Sequence, residues 1–200
     1  MSNMSADDAL WLLRQGNEDF LNDRLGALPI GRESRLTLAA GQRPFAAYLS
    51  CSDSRVPPEL LFGRGLGELF IVRNAGNTLD TSAIGSLEFA VSVLGVRLIV
   101  VMGHEACGAV DAAMRTVRDG AQHPGCIGKM LEPIVPAVEE AHKKAPGDLD
   151  FAVRQNVRRV VNFLRAQSSP LLMVPQSQGQ AKIVGAYYGL TTGAVDFFDV

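Results

Sequence analysis

Phe45-Ala46-Ala47-Tyr48-Leu49-Ser50-Cys51-Ser52-Asp53-Ser54-Arg55 and Arg97-Leu98-Ile99-Val100-Val101-Met102-Gly103-His104-Glu105-Ala106-Cys107 decide how this chain folds. In each stretch a short apolar run ends at polar and thiol-bearing residues. Phe45–Leu49 and Leu98–Met102 lack polar alternation, which predicts strands buried on both faces. In an open parallel sheet the carboxyl ends of the strands open onto one edge, where ligands bind. Cys51, Asp53, His104 and Cys107 are therefore expected to converge there.

Working outward, Glu68–Val72 predicts another strand, and Arg73-Asn74-Ala75-Gly76-Asn77 an irregular loop suited to binding groups. Pro57-Pro58 start a short helical segment through Leu61. Asp80 caps a helix carrying Ile84, Leu87, Val91 and Leu94, which Gly95 stops. Ala109 to Arg118 is helical, placing Cys107 at a helix N-terminus that favours its thiolate. Ile127, Leu131, Ile134 and Val138 are helically spaced, with Pro133 and Pro136 tolerable only near first turns. Asp150 is expected to cap a helix bearing Val153, Val157, Val160, Val161 and Leu164. Leu171–Val174 reads as a fourth strand. Lys182–Tyr188 and Ala194–Phe198 read as a hairpin.

At the amino end, Ser5 to about Leu21 reads as an amphipathic helix, with Ser5 as cap and Asp7 and Asp8 in the first turn. Ala9, Leu13 and Phe20 share a face flanked by Leu10 and Leu21. Trp11 and Leu12 lie off it; a partner subunit and a second core contact explain them equally well. Arg32–Ala40 is a shorter helix ended by Gly41. The expectation is an α/β domain over residues 1–200: a mostly parallel central sheet flanked by helices, with an antiparallel edge hairpin. Residues 1–40 form an N-terminal helical arm.

The chain has 200 residues, 47% of them hydrophobic and 20% charged, enough for a sizeable core and against disorder. A formal net charge of −2 gives no push towards nucleic acid or an anionic membrane. Three cysteines are too few, and odd, for a disulfide framework. No stretch has signal-peptide order or the length of a bilayer span, so the expected setting is the cytoplasm.

Singly, each candidate residue is weak. Together, two thiols and an imidazole at strand ends, with His104 and Cys107 spaced i, i+3, form a shell suited to Zn2+. Cys126 has no partner motif, and His123 and His142 read as surface residues. Asp53 is either the fourth ligand or is held off the metal by Arg55. The first arrangement closes the site; the second leaves a position for water, whose pKa zinc lowers towards about 7. A plain loop-stabilising ion pair is the bland reading of the same two residues. A cysteine-phosphatase loop is excluded, because only Ser52 to Ser54 separate cysteine from arginine and Asp53 would repel phosphate. A thioredoxin-like site is excluded because Cys51 has no second cysteine close by.

The sequence resembles the beta-class carbonic anhydrases in Cys51-Ser52-Asp53-Ser54-Arg55-Val56, Arg73-Asn74-Ala75-Gly76-Asn77, Ser86-Leu87-Glu88-Phe89-Ala90-Val91, Gly103-His104-Glu105-Ala106-Cys107-Gly108 and Val184-Gly185-Ala186-Tyr187-Tyr188. The resemblance runs from about Ala6 to the C-terminus. It implies one zinc per chain on Cys51, His104 and Cys107, with water, or Asp53 in a closed form, in fourth place. It implies an Asp53–Arg55 dyad that keeps the aspartate off zinc and orients the bound hydroxide. Gln42 matches a pocket glutamine, and the Gly108 amide lies where the family positions substrate or the dyad. Phe70 and Phe89 match aromatics that line the pocket from the neighbouring subunit. The resemblance also implies a homodimer or dimer of dimers, with the 1–40 arm embracing the partner.

The implied reaction is reversible hydration of CO2 to bicarbonate and a proton by zinc-bound hydroxide. Two alternatives are a CS2 or COS hydrolase of the same family and a non-catalytic zinc-binding sensor. Some members carry a regulatory bicarbonate site of Trp, Arg and Tyr. Arg73 and Tyr188 match two of those positions, and Tyr48 stands where the tryptophan would be. Tyrosine either substitutes there or abolishes the site; the plain role for Tyr48 is core packing.

Overall fold

The structure is a computed structural model and describes residues 4–166 and 168–200. The first three residues of the expected 1–40 arm lie outside the described residues. The strands are β1 (Ala46–Cys51), β2 (Leu69–Asn74), β3 (Leu98–His104), β4 (Lys182–Tyr188) and β5 (Val195–Asp199). They form one sheet in the order β2-β1-β3-β4-β5. The pairings among β1 to β4 are parallel, and β5 returns antiparallel to β4. Every residue of β1 and β3 is buried, as their unbroken apolar runs require.

The helices are α1 (Ala6–Leu21), α2 (Arg32–Leu38), α3 (Pro58–Leu61), α4 (Thr81–Ser92), α5 (Gly108–Asp119), α6 (Cys126–Leu131), α7 (Val135–Lys144), α8 (Leu149–Ala166) and α9 (Pro170–Ser177). Strand alternation divides the core. Ala46, Tyr48, Leu98, Val100 and Met102 pack with residues of α1, α5 and α7. Ala47, Leu49, Ile99 and Val101 pack with α4, α9 and the Val157–Leu164 part of α8. Each fully buried valine or leucine contributes roughly 1.5–3 kcal/mol, so the α8 stripe at Val153, Val157, Val161 and Leu164 is a main anchor.

From β1 the chain passes outward to β2, then returns through α4 to β3 on the other side of β1. The order therefore reverses between β1 and β3, and a crevice opens at their carboxyl ends. Cys51 is the last residue of β1 and His104 the last of β3.

Helix α1 starts as expected: the Ser5 hydroxyl accepts from the Asp8 amide. Ala9 and Leu13 are fully buried against this chain's own body. Gly16 lies so close to α3's end that a Cβ there would stand 2.2 Å from the Phe62 carbonyl oxygen. Buried Asn17 donates to the Leu61 and Gly193 carbonyls and accepts from the Val195 amide, tying α1 to the β4–β5 turn. Trp11 stays 59% exposed.

Four local expectations change. Leu171–Val174 is helical, inside α9, because Ser169 and Pro170 start a helix and only Leu172 is buried. Asp148, not Asp150, accepts from the first-turn amide of Phe151; Asp150 instead accepts from the Tyr187 hydroxyl at 2.6 Å. The 127–138 segment is two helices rather than one, α6 and α7, separated around Pro133. Helix α2 stops at Leu38, short of Ala40.

Candidate metal centre

Cys51 Sγ, a His104 ring nitrogen and Cys107 Sγ lie within 4.8 Å of one another, and all three residues are buried. Sheet geometry brings Cys51 and His104 together, since β1 and β3 pair side by side. The turn after β3 brings Cys107. Its residue Ala106 has φ 55°, a left-handed conformation costly for a residue with a Cβ. Cys107 is the N-cap of α5, and the Val110 and Ala109 amides favour its thiolate.

The donor set fits zinc. His104 Nδ1 lies 2.8 Å from the Glu105 carbonyl oxygen, to which it donates. That leaves the lone pair on Nε2, which is buried with no hydrogen-bond partner among the described residues. A ligating histidine needs this arrangement. The Glu105 carboxylate accepts from the Thr191 amide and hydroxyl, pinning the peptide that orients the imidazole.

The sulfurs point the same way. The hydrogen bond from Cys107 holds the Cys51 thiol below its ordinary range, opposed by burial and helped by neighbouring His104 and the Gly76 and Asp53 amides. The same contact, with burial, pushes the Cys107 thiol up. A dication held between them favours the thiolate form of both sulfurs. The Gly76 amide donates to Cys51 Sγ at 3.4 Å.

Asp53 does not join the ligand group. Arg55 Nε donates to its Oδ1 at 2.9 Å and the guanidinium's terminal nitrogen to its Oδ2 at 2.7 Å, with the Arg55 amide also on Oδ1 at 2.9 Å. These bonds hold the carboxyl well below the usual range. Arg73 sits behind, donating to the Cys51 carbonyl at 2.8 Å and the Asp53 carbonyl at 2.5 Å.

Other expected site residues fall elsewhere. Gly108 is the first residue of α5, beside Cys107, and a Cβ on it would meet open space. Gln42 is exposed and precedes β1, at the sheet end opposite Cys51. Phe70 is level with Ala47, four residues from the Cys51 level, or about 13 Å at ~3.3 Å per residue. Its ring lies 6.3 Å from that of Phe89, which is 45% exposed. Tyr48 is fully buried, its ring 5.5 Å from Phe62. Tyr188 on β4 is level with His104, while Arg73 on β2 is level with Ser50. The two strands are three spacings apart, about 14 Å at ~4.8 Å each.

A family profile described as "Carbonic anhydrase" matches residues 46–195. "Carbonic anhydrase 2" of Mycobacterium tuberculosis is 39% identical over 186 residues, covering 92% of this chain and 89% of that protein. A Coccomyxa beta-carbonic anhydrase, solved with acetazolamide, superposes at TM-score 0.72 with 29% identity, over 82% of this chain and 75% of that one. A tetrameric beta-carbonic anhydrase of Sordaria macrospora shares the fold at TM-score 0.75 and 23% identity, covering 96% and 93%.

Two cysteines and one histidine at the switch point of a parallel sheet make a three-ligand site of the catalytic zinc class. The chain belongs to the beta-class carbonic anhydrases. Its reaction is the reversible hydration of CO2, which the match supports over CS2 or COS hydrolysis and over a non-catalytic sensor.

Proposed function

We propose that Asp53 and Arg55 are the catalytic dyad and that the resting site is open at neutral pH. One observation carries this reading: Arg55 occupies both carboxylate oxygens of Asp53, so the carboxylate is turned from the metal position. Zinc, when bound to Cys51, His104 and Cys107, supplies the Lewis acidity that makes water nucleophilic near neutral pH. Asp53, kept anionic by Arg55, accepts a hydrogen bond from the attacking water and orients it. The Gly108 amide, a first-turn donor of α5 with open space beside it, holds a substrate oxygen. Arg73 fixes the Cys51 and Asp53 carbonyls, and with them the loop between ligand and dyad.

A second copy of the chain completes the pocket. Phe70 is about 13 Å along its strand from the Cys51 level and Gln42 lies at the opposite sheet end, which supports their lining a partner's site, with Phe89 beside Phe70. Exposed Phe89, Val93 and Trp11 offer apolar surface for that contact, and the Sordaria relative is described as tetrameric. Phe70 and Phe89 would keep the CO2 pocket dry. The 1–40 arm embraces the partner through Trp11. The assembly is a homodimer or a dimer of dimers acting on CO2 and bicarbonate.

Tyr48, Arg73 and Tyr188 do not form a regulatory bicarbonate site in this reading. Arg73 is committed to two carbonyls, Tyr48 is core, and Tyr188 lies across the sheet. The cytoplasm suits the unpaired thiols of Cys51 and Cys107, and no described helix is long and apolar enough to cross a membrane.

Stopped-flow CO2 hydration from about pH 6.5 to 9, on protein of measured zinc content, tests the reading. One zinc per chain with turnover throughout supports the open site. Activity only above about pH 8 would mean that Asp53 closes the site, and would return Tyr48, Arg73 and Tyr188 to regulation.

A further inference from the structure

We propose that Asn156 is a positioning residue for the metal centre: acting through Gly76, it holds a hydrogen bond on the Cys51 sulfur and so sets how strongly that thiolate donates to zinc. Asn156 lies on α8, 1% exposed, and its Nδ2 donates to the Gly76 carbonyl oxygen at 2.9 Å. The Gly76 amide donates to Cys51 Sγ. Two bonds thus connect the middle of α8 to a metal ligand 105 residues earlier in the chain (156 minus 51).

The Gly76 segment is clamped on every side. At its ends, the Asn74 side chain accepts from the Thr78 amide and donates to the Thr78 carbonyl, both at 2.8 Å. Beneath it, a Cβ on Gly76 would stand 2.6 Å from Ile134 Cδ1 and 3.0 Å from Ala109 Cβ. Its φ of 72° is left-handed, where a side chain is strained in any case. The Gly76 amide and carbonyl lie in adjacent peptide planes that meet at one α-carbon, so holding the carbonyl through Asn156 limits how far the amide can turn from the sulfur.

Core packing alone does not call for an amide there. The other buried residues of α8 are Ala152, Val153, Val157, Val160, Val161 and Leu164, all apolar. A lone buried amide on such a face is retained where its hydrogen bond matters. Hydrogen bonds to a ligand atom tune the metal it binds, and losing such a partner costs typically 10–100-fold in metal affinity.

The proposal rests on zinc at Cys51, His104 and Cys107. Its test is the sulfur-to-metal charge-transfer absorption of the cobalt-substituted enzyme, with zinc affinity measured against a chromophoric chelator. Asn156→Leu keeps the branched shape, at a larger volume, and removes the donor; Asn156→Ser, too short to reach Gly76, serves if leucine does not fold. Either should shift the charge-transfer band to lower energy, since the thiolate is more easily oxidised, and weaken zinc binding by about 10–100-fold, since the sulfur is no longer held in place and keeps its proton more tightly. Gln176→Leu is the control: it removes a half-buried amide that holds the Leu164 and Leu172 carbonyls and bonds to no residue of the metal site, and it should lower Tm without moving the band. An unshifted band and unchanged zinc affinity in both Asn156 variants would overturn the proposal, whatever their Tm. If the unsubstituted protein shows no sulfur-to-cobalt band, the metal centre itself is wrong and the positioning role falls with it.

Discussion

Arg55 closes on Asp53 with two parallel bonds of 2.9 and 2.7 Å, the bidentate grip on which the proposed open site rests. Arg55 is more than half exposed, so the pair adds little to global stability. Its value is geometric. Without the guanidinium, the carboxylate two residues from Cys51 is free to turn towards the metal.

Asp53→Ala and Arg55→Ala should therefore both keep zinc while lowering turnover. The expected loss is about 100-fold or more, within the range of a positioned acid–base group. Arg55→Ala should be the worse at neutral pH, because it leaves Asp53 able to close the site. Full activity in Asp53→Ala would remove the dyad from the mechanism.

The Asp53 carboxyl should stay ionised through the working range. Its folded-state pKa is depressed by the Arg55 hydrogen bonds. The pair's contribution is therefore complete above the ordinary carboxylate value of about 3.9 and is lost only as pH falls through the lower folded value. A carboxyl 13C resonance assigned to Asp53 should be flat from about pH 9 to 5, and a titration inside that window would contradict the observed pairing.

Cys51→Ala, His104→Ala and Cys107→Ala should each lose zinc, as read by metal analysis after dialysis. The loss should be about equally severe for each, because all three face the same point.

Ala106→Gly should stabilise the protein while leaving the ligand set in place. Ala106 has φ 55°, which glycine adopts without strain. The gain should be about 0.5–1 kcal/mol, or roughly 1–4 °C in Tm for a chain of this size. An unchanged or lower Tm would mean that the turn is not strained.

Gly16→Ala should act the other way. Its Cβ would press on the Phe62 carbonyl, backbone that cannot swing aside. A loss of roughly 1–3 kcal/mol is expected, measured by denaturant unfolding.

The ligands were legible because each stands where an apolar run stops. Cys51 and His104 end β1 and β3, and no tertiary knowledge was needed to put them on one edge. Leu171–Val174 reads as a strand in sequence because four apolar residues do not distinguish a period of 2 from 3.6. The deciding signal, Ser169 followed by Pro170, was present and outranks the run. Asp148 and Asp150 offer the same capping chemistry two residues apart, so composition alone could not choose between them. The supporting shell was invisible for a different reason. Asn156 meets Gly76 across 80 residues, and Glu105 meets Thr191 across 86, contacts that leave no local pattern. Gln42, Phe70 and Phe89 drew notice only through the family resemblance, since nothing in their own surroundings marks them.

The metal ligands lie on both sides of the seam where the strand order reverses. A chain that has not yet joined β1 to β3 offers zinc at most the neighbouring pair His104 and Cys107. Cys51 arrives only with the finished centre of the sheet. Zinc held by all three ligands therefore reports that the first and third strands of the chain stand side by side.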